Sequence, residues 1–463
     1  MAALTDSWSK KSMATGDHTF RMQALHKKHG DIVRTGPNTL SFATVNAYRD
    51  IYGHVGQDKK RFLKNAIYER EDPRITSVRD PAAHAEQRRA LSHAFSARAL
   101  RDQEDVVHQY VDALLRKLGE LGEQGVQAVD MTEAYNWLTF DIIGDLAFGE
   151  PFNAVSQASS KWVQGIIDWS IYQSLAYMMK TKPLYRILLP LMWGSRLSTM
   201  RTIAEESEAM AKDKTRRRLE TPPEDLPDRA DFFSHLIKKQ QVTERYMMGT
   251  SQTLIVAGSE TTATALIAMT FWLLKTPHTL AKLQAEVRGT FSSLEEITGD
   301  ATAAKCAYLH AVVEEGLRLS PPVATALPRD CPGTVIDGVY VPEGVVVGVD
   351  NYSMSRDPRW WKDPESFIPE RWLQDKDDKT GKNVGRFAEE DKRASQPFSL
   401  GPRACLGINL AYVEMRIMLA KLVFAYDLEL ESTEIADWNR ACKMYGLWKK
   451  PPCMVKLRPH ITL

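Results

Sequence analysis

The chain has 463 residues, 43% hydrophobic and 26% charged, ordinary globular usage that excludes wholesale disorder. Sixty Lys and Arg against 59 Asp and Glu leave a net charge of +1, without the basic excess of a dedicated nucleic-acid binder. Cys306, Cys331, Cys405, Cys442 and Cys453 are widely spaced with no C-x-x-C, so neither a disulfide framework nor a structural zinc cluster is expected, and a reducing compartment fits.

In chain order, Met1 to Gly30 is polar and charged. It has no signal-peptide core and no run that could cross a bilayer, so the chain as given reads as soluble. Asp31–Arg34 and Thr39–Phe42 flank Gly36-Pro37-Asn38, a hairpin pattern. Asp102–Leu121 places Val106, Val107, Tyr110, Val111, Leu114, Leu115 and Leu118 on one helix face, and Tyr135–Phe148 reads as a second buried helix. Thr221–Asp231, rich in proline, is a surface loop. From Thr243, an N-cap, to about Lys275, with Pro277 as the stop, runs the longest predicted helix. Its ~32 residues span roughly 48 Å, the diameter of a whole globule of this size. It is apolar nearly all round, yet Glu260 sits mid-span, where a buried carboxylate is costly unless partnered. Thr334–Val341 and Val345–Val349 are expected strands joined at Pro342-Glu343-Gly344. Gln374–Gln396 reads as a charged irregular connection. No period of 20–50 residues repeats. The expectation is one mainly α domain with small β-sheets.

The sharpest feature is the run Phe398 to Gly407, F-S-L-G-P-R-A-C-L-G, before an amphipathic helix from Ile408 to about Phe424. Gly401 and Gly407 let the backbone pass close to a flat cofactor. Backbone N–H groups and a helix N-terminus stabilise an anionic sulfur, so Cys405 is a candidate thiolate ligand to iron. Arg403 is placed to meet a carboxylate such as a haem propionate. The alternative for an isolated cysteine is a small core hydrophobe. Five fixed positions weigh against it: F-x-x-G-x-R-x-C-x-G arises by chance on the order of once in 10⁴ chains this long.

This loop resembles the haem-ligand loop of the cytochrome P450 superfamily, and further motifs follow in the family's order. Glu315-Gly316-Leu317-Arg318 matches E-x-x-R, and Phe367 to Trp372 matches the segment whose Arg, here Arg371, joins that pair in a buried ion triad. Ala257-Gly258-Ser259-Glu260-Thr261-Thr262 matches A-G-x-[DE]-T-T. The resemblance implies that Glu260 and Thr261 form an acid–alcohol pair relaying protons to the oxygen site, work that must proceed without flooding the site with water. Alternatively the threonines back-bond to carbonyls and bend the helix. His84-Ala85-Glu86-Gln87-Arg88 stands where the family has W-x-x-x-R, with His84 in place of Trp. Arg88, His84 and Arg329 are implied propionate contacts, with a plain surface helix face as the alternative for His84 and Arg88. Ile32–Asn38, Leu91–Ser96 and Phe140–Glu150 resemble the isotrichodermin C-15 hydroxylase type of fungal secondary metabolism.

The resemblance implies a single-domain haem-thiolate monooxygenase fold over residues 30–463, with a long central helix over haem b, after an N-terminal segment at 1–29 that lacks the family's membrane anchor. A truncated chain is the expected explanation, with the native protein on the cytosolic face of the endoplasmic reticulum membrane. Leu175–Gly194, apolar with interleaved Lys180, Lys182 and Arg186, suits a bilayer surface or equally a core-packed helix. Expected partners are O2, NADPH-cytochrome P450 reductase and a hydrophobic small-molecule substrate. Family position suggests Phe62, Tyr68, Ile75, Leu254, Ala257, Val323, Thr325, Leu327, Tyr445 and Leu447 as substrate contacts. Arg88, Arg89, Lys392 and Arg393 are a candidate basic rim for the reductase. Hydroxylation or epoxidation is the expected outcome. Oxidative coupling or ring formation without oxygen insertion is the variant, and a haem carrier or gas sensor the non-enzymatic alternative.

Overall fold

The computed structural model describes all residues except 1, 3, 55, 57–59, 70–73, 160, 182, 222–231, 234–243, 374–384 and 462–463. The central helix runs from Glu244 to Lys275, 32 residues; Thr243, the expected N-cap, lies outside the described residues. Pro277 does not merely follow the stop. It opens the next helix, Pro277–Thr290, at its first turn, where a missing N–H costs nothing.

The central helix is apolar on nearly every side because other helices surround it. Met131–Phe148, Ser195–Glu220, Ala307–Leu319 and Ile408–Ala425 all pack on it. Met131–Phe148 starts where the Asp130 side chain accepts from Thr132 N–H, and ends at Gly149 with φ 75°. It approaches the central helix closely because Gly258 has no side chain; a Cβ there would stand 2.6 Å from Ile143 Cδ1. The predicted helix Asp102–Leu121 is observed as Glu104–Leu121. Among the described residues the central helix is also the one span long and apolar enough to cross a bilayer, and 78% of its most apolar stretch is buried in the fold.

The β structure is peripheral. A five-stranded sheet orders Ile32–Gly36, Thr39–Phe42, Val339–Val349, Arg329–Ile336 and Leu63–Lys64. The hairpin of its two long strands departs from expectation. Its turn is Asp337-Gly338, both at positive φ (45° and 79°), as a two-residue connection requires. Pro342-Glu343-Gly344 lies inside the second strand, next to a register irregularity.

The N-terminal helices Ser7–Ala14 and His18–His29 dock on the fold: Phe20 meets Tyr352 edge-on at 5.7 Å, and His26 Nε2 lies 2.9 Å from Ser41 Oγ. The segment Leu175–Gly194 divides. Leu175, Met178 and Leu189 are buried. On the helix Pro183–Trp193, Leu184, Ile187, Leu188 and Leu191 form an exposed apolar stripe. Of the expected loop Thr221–Asp231 only Thr221 is described, and residues 374–384 of the charged connection also lie outside the described residues.

Candidate active site

Between the central helix and the cysteine loop lies a cavity of about 330 Å³. Leu254, Ala257, Gly258, Thr261 and Thr262 line it from the helix, and Phe398, Arg403 and Cys405 from the loop. Lys64, Ile75, His84, Arg88, Val323 and Leu327 complete much of the wall.

The loop is shaped by backbone hydrogen bonds. Cys405 N–H donates to Phe398 O at 2.8 Å, and Ala404 N–H to Gly401 O at 3.1 Å. Gly401 has φ 70°, and a Cβ there would run into the carbonyl oxygen of Tyr52. Arg88 donates to Ala404 O (2.6 Å), and Arg403 to Val78 O (2.8 Å) and Arg79 O (2.7 Å). These contacts turn Cys405 out of the core. Its side chain opens into the cavity, whereas the other four cysteines are buried. Burial pushes the Cys405 thiol up, opposed by the Gly407 N–H and the Arg88 charge, both of which favour the thiolate.

Cations gather at one end of the cavity. Among the described residues no carboxylate forms an ion pair with Lys64, Arg88, Arg329 or Arg403. Desolvation, then Arg403, Lys64, Arg88 and Arg329, push His84 down to about 3, so it is neutral. Burial and Arg329 push Arg403 down to about 10. Such crowding is costly unless anions face it, and the two propionates of a porphyrin are the matching charge. The residues present therefore fit a haem: a cysteine for the iron, an apolar wall for the ring, and a cationic end for its carboxylates. Arg329 stands behind the wall, its guanidinium over the Tyr52 ring at 5.1 Å.

Lys64 had no motif to announce it. Its ammonium donates to Ile75 O (3.2 Å) and Thr76 O (2.7 Å). Burial, then Arg403 and Arg329, lower it from 10.5 to about 7. Between those values the unfolded chain holds a proton that the folded chain has shed, so stability rises with pH across that window. Urea unfolding of the haem-free protein is expected to show this rise, and Lys64→Met to flatten it. Equal slopes in the two proteins would remove Lys64 from the cationic end.

Glu260 and Thr261, adjacent in sequence, diverge as consecutive helix residues must. Thr261 lines the cavity, and its hydroxyl donates to Ala257 O at 2.6 Å. Glu260 is buried and ion-paired with the equally buried Lys450. The Lys450 ammonium also reaches Thr264 Oγ1 (3.1 Å) and Asn136 Oδ1 (3.4 Å). The costly mid-helix acid thus has a partner from the C-terminal segment, which no local pattern indicated.

Beyond the cysteine loop, Glu315, Arg318 and Arg371 meet in full burial. Arg318 grips both Glu315 oxygens at 2.8 Å, and Arg371 Nε donates to Oε1 at 3.0 Å. Ile368 N–H (2.8 Å) and Trp372 Nε1 (2.9 Å) also donate to Glu315. Burial raises the Glu315 carboxyl, but Arg318 and Arg371 overcome it and hold it below its ordinary value. Glu390 pairs with the other side of Arg371, a fourth member that spacing did not reveal.

Other predicted residues lie elsewhere. Phe62 packs beside the five-stranded sheet, and Tyr68 hydrogen-bonds Arg329. Thr325 is half-buried outside the cavity wall. Tyr445 packs over Gly16, and Leu447 packs on the main core. The basic rim is largely neutralised within the chain: Lys392 pairs with Glu390 (2.5 Å) and Arg393 with Asp391 (2.7 Å), while Arg88 turns to the loop. Arg89 remains exposed.

Comparison with known proteins agrees with this geometry. The cytochrome P450 family model matches residues 8–457, and the chain belongs to that family. It is 39% identical over 455 residues to cytochrome P450 monooxygenase BOA3 of Botryotinia fuckeliana, covering 97% of this chain and 88% of that protein. It is 38% identical to the monooxygenase tpeC of Talaromyces stipitatus (96% and 85%) and 37% to astJ of Aspergillus oryzae (96% and 88%). The chain is thus an oxidoreductase of the monooxygenase class, with a haem-thiolate cofactor, using O2 and a redox partner on small molecules.

Proposed function

We propose that this chain uses haem b to hydroxylate or epoxidise a hydrophobic fungal secondary metabolite, with electrons from NADPH-cytochrome P450 reductase. The observation carrying this reading is Cys405 opening into a largely apolar cavity that Thr261 also lines. Cys405 would hold the iron; Phe398, Arg403, Arg88, Arg329 and neutral His84 would hold the ring and its carboxylates. Bound haem supplies the oxygen activation. Leu254, Ala257, Ile75, Val323 and Leu327 offer apolar contacts that suit a hydrophobic molecule.

In this reading the Thr261 hydroxyl keeps a proton beside the oxygen site, and Glu260 supplies an acid that its pair with Lys450 holds back from the cavity. The exposed stripe on Pro183–Trp193 supports contact with a bilayer surface, and we place the native protein on the cytosolic face of the endoplasmic reticulum.

Feeding pathway intermediates with reductase, NADPH and ¹⁸O2 tests the function: one labelled oxygen in a product supports it, and a product formed with no label overturns oxygen insertion. With a substrate so found, Thr261→Ala is expected to keep substrate affinity and most NADPH consumption, while product per NADPH falls and peroxide rises. Positioned acid–base groups contribute typically 10²–10⁴-fold, so the loss is measurable. Unchanged product per NADPH in the folded variant would take Thr261 out of the chemistry and leave it a helix-bending residue.

A further inference from the structure

The short strand Leu63–Lys64 sets Lys64 on the cavity wall, 8% exposed. Its ammonium has three N–H groups. The carbonyls of Ile75 and Thr76 take two of them. No carboxylate among the described residues meets the third. Asp330, which pairs with Leu63 across the sheet, and Glu69 are both taken by Arg79, at 2.8 and 2.6 Å. Arg88, Arg329 and Arg403 already outnumber the two propionates of a porphyrin, so Lys64 is a surplus cation at this end. Burial and the charges of Arg403 and Arg329 all disfavour its ammonium form. An anion beside it would offset them.

The neighbouring groups suit an anion that carries an apolar body. Thr76, whose carbonyl holds Lys64, is exposed, and its hydroxyl stands 3.4 Å from the Thr253 hydroxyl on the central helix. Both threonines line the cavity. From Thr253 the wall continues along the helix through Leu254 and Ala257 to Thr261. Those eight residues rise roughly 12 Å, and their cavity-lining side chains are apolar between the two threonines. One end of this run offers a cation and two hydroxyls; the other lies at the residue that faces the oxygen site in the reading above.

We propose that Lys64, with the Thr76 and Thr253 hydroxyls, binds the carboxylate of a hydrophobic acid whose body lies along Leu254 and Ala257. The substrate class is then a carboxylic acid, oxidised at a carbon remote from its carboxylate, roughly the 12 Å of that helix run away. The oxidation at the far end rests on the monooxygenase reading; the carboxylate site does not.

Calorimetric titration of the haem-loaded protein with medium-chain fatty acids and with their methyl esters tests this. Acid and ester share the apolar body and differ in the charge. In wild type at least one acid is expected to bind about tenfold or more tightly than its ester, the scale of one hydrogen bond to a charged group. Lys64→Met should lose that preference and keep the ester affinity, and Lys64→Arg should restore part of it. Thr253→Val should weaken the acid and spare the ester. Wild type with no preference for any acid, or Lys64→Met that retains one, would overturn the proposal. Haem loss from Lys64→Met, or equal weakening of acid and ester, would also overturn it by assigning Lys64 to the porphyrin carboxylates. Should Lys64→Met not fold, Lys64→Gln and Thr253→Val carry the same comparison. Turnover enters none of these measurements. Acid binding through Lys64 with no NADPH consumption in the presence of reductase would count against the monooxygenase reading and leave the carboxylate site standing.

Discussion

Cys405→Ser is expected to abolish the thiolate-type Soret band of the reduced, CO-bound protein, and all turnover with it, while leaving the fold intact. A thiolate donates more electron density to iron than imidazole or a neutral hydroxyl, which is what favours O–O cleavage. A serine hydroxyl stays protonated at neutral pH and lacks that donation. The fold should survive because the side chain is exposed and opens into the cavity. Substitutions away from packed features stay within about 0.5 kcal/mol. Guanidinium unfolding of the two haem-free proteins should give matching midpoints. A histidine-type Soret band in folded wild type would refute the ligand assignment.

The second large effect is on stability. Glu315→Gln leaves Arg318 and Arg371, both with fully buried side chains, without their shared counter-charge. Removing one partner of a buried ion pair costs about 3–5 kcal/mol, against about 5–15 kcal/mol for a whole domain. Glu390 compensates Arg371 in part and does nothing for Arg318. The variant should therefore accumulate poorly and unfold at much lower denaturant. The exposed pair Lys282–Glu370, at 2.6 Å, is the control: Lys282→Ala should cost no more than about 1 kcal/mol. Similar midpoints for the two variants would show that the buried network is not what stabilises this end of the fold.

What was legible in the sequence was what neighbouring residues carry together. The cysteine loop and Glu315 with Arg318 lie within single short segments, so spacing alone identifies them. Helices with one apolar face, such as Glu104–Leu121, were legible for the same reason. The hairpin turn was misjudged because Pro342-Glu343-Gly344 looks more turn-like than Asp337-Gly338. The choice between them is made by pairing Val341 with Thr334, seven residues away. Lys450 was missed because its partner lies far along the chain, and Lys64 and Glu390 because their partners, Ile75 and Thr76 for the one and Arg371 and Lys392 for the other, fall in no recognisable spacing. Lys450 meets Glu260 across 190 residues, and no local pattern records such a meeting. Tyr445 and Leu447 failed to reach the cavity wall for a related reason. They sit in the loop of a small hairpin, Lys443–Met444 with Trp448–Lys449, that packs elsewhere.

The cavity wall is assembled from pieces made at very different times. Its described residues run from Lys64 to Met415. At roughly 5–20 residues per second of synthesis, the 351 positions between those two take roughly 18–70 s. For most of that interval Lys64, His84 and Arg88 have already been made and wait for Cys405. The helix Met131–Phe148, buried along nearly its whole length in the finished fold, must wait for the central helix that covers it. A nascent chain of this protein is therefore sticky for most of its synthesis and gains its cofactor site among the last things made. Chaperone demand, and slow codons placed after the central helix, should affect its yield more than changes near its beginning.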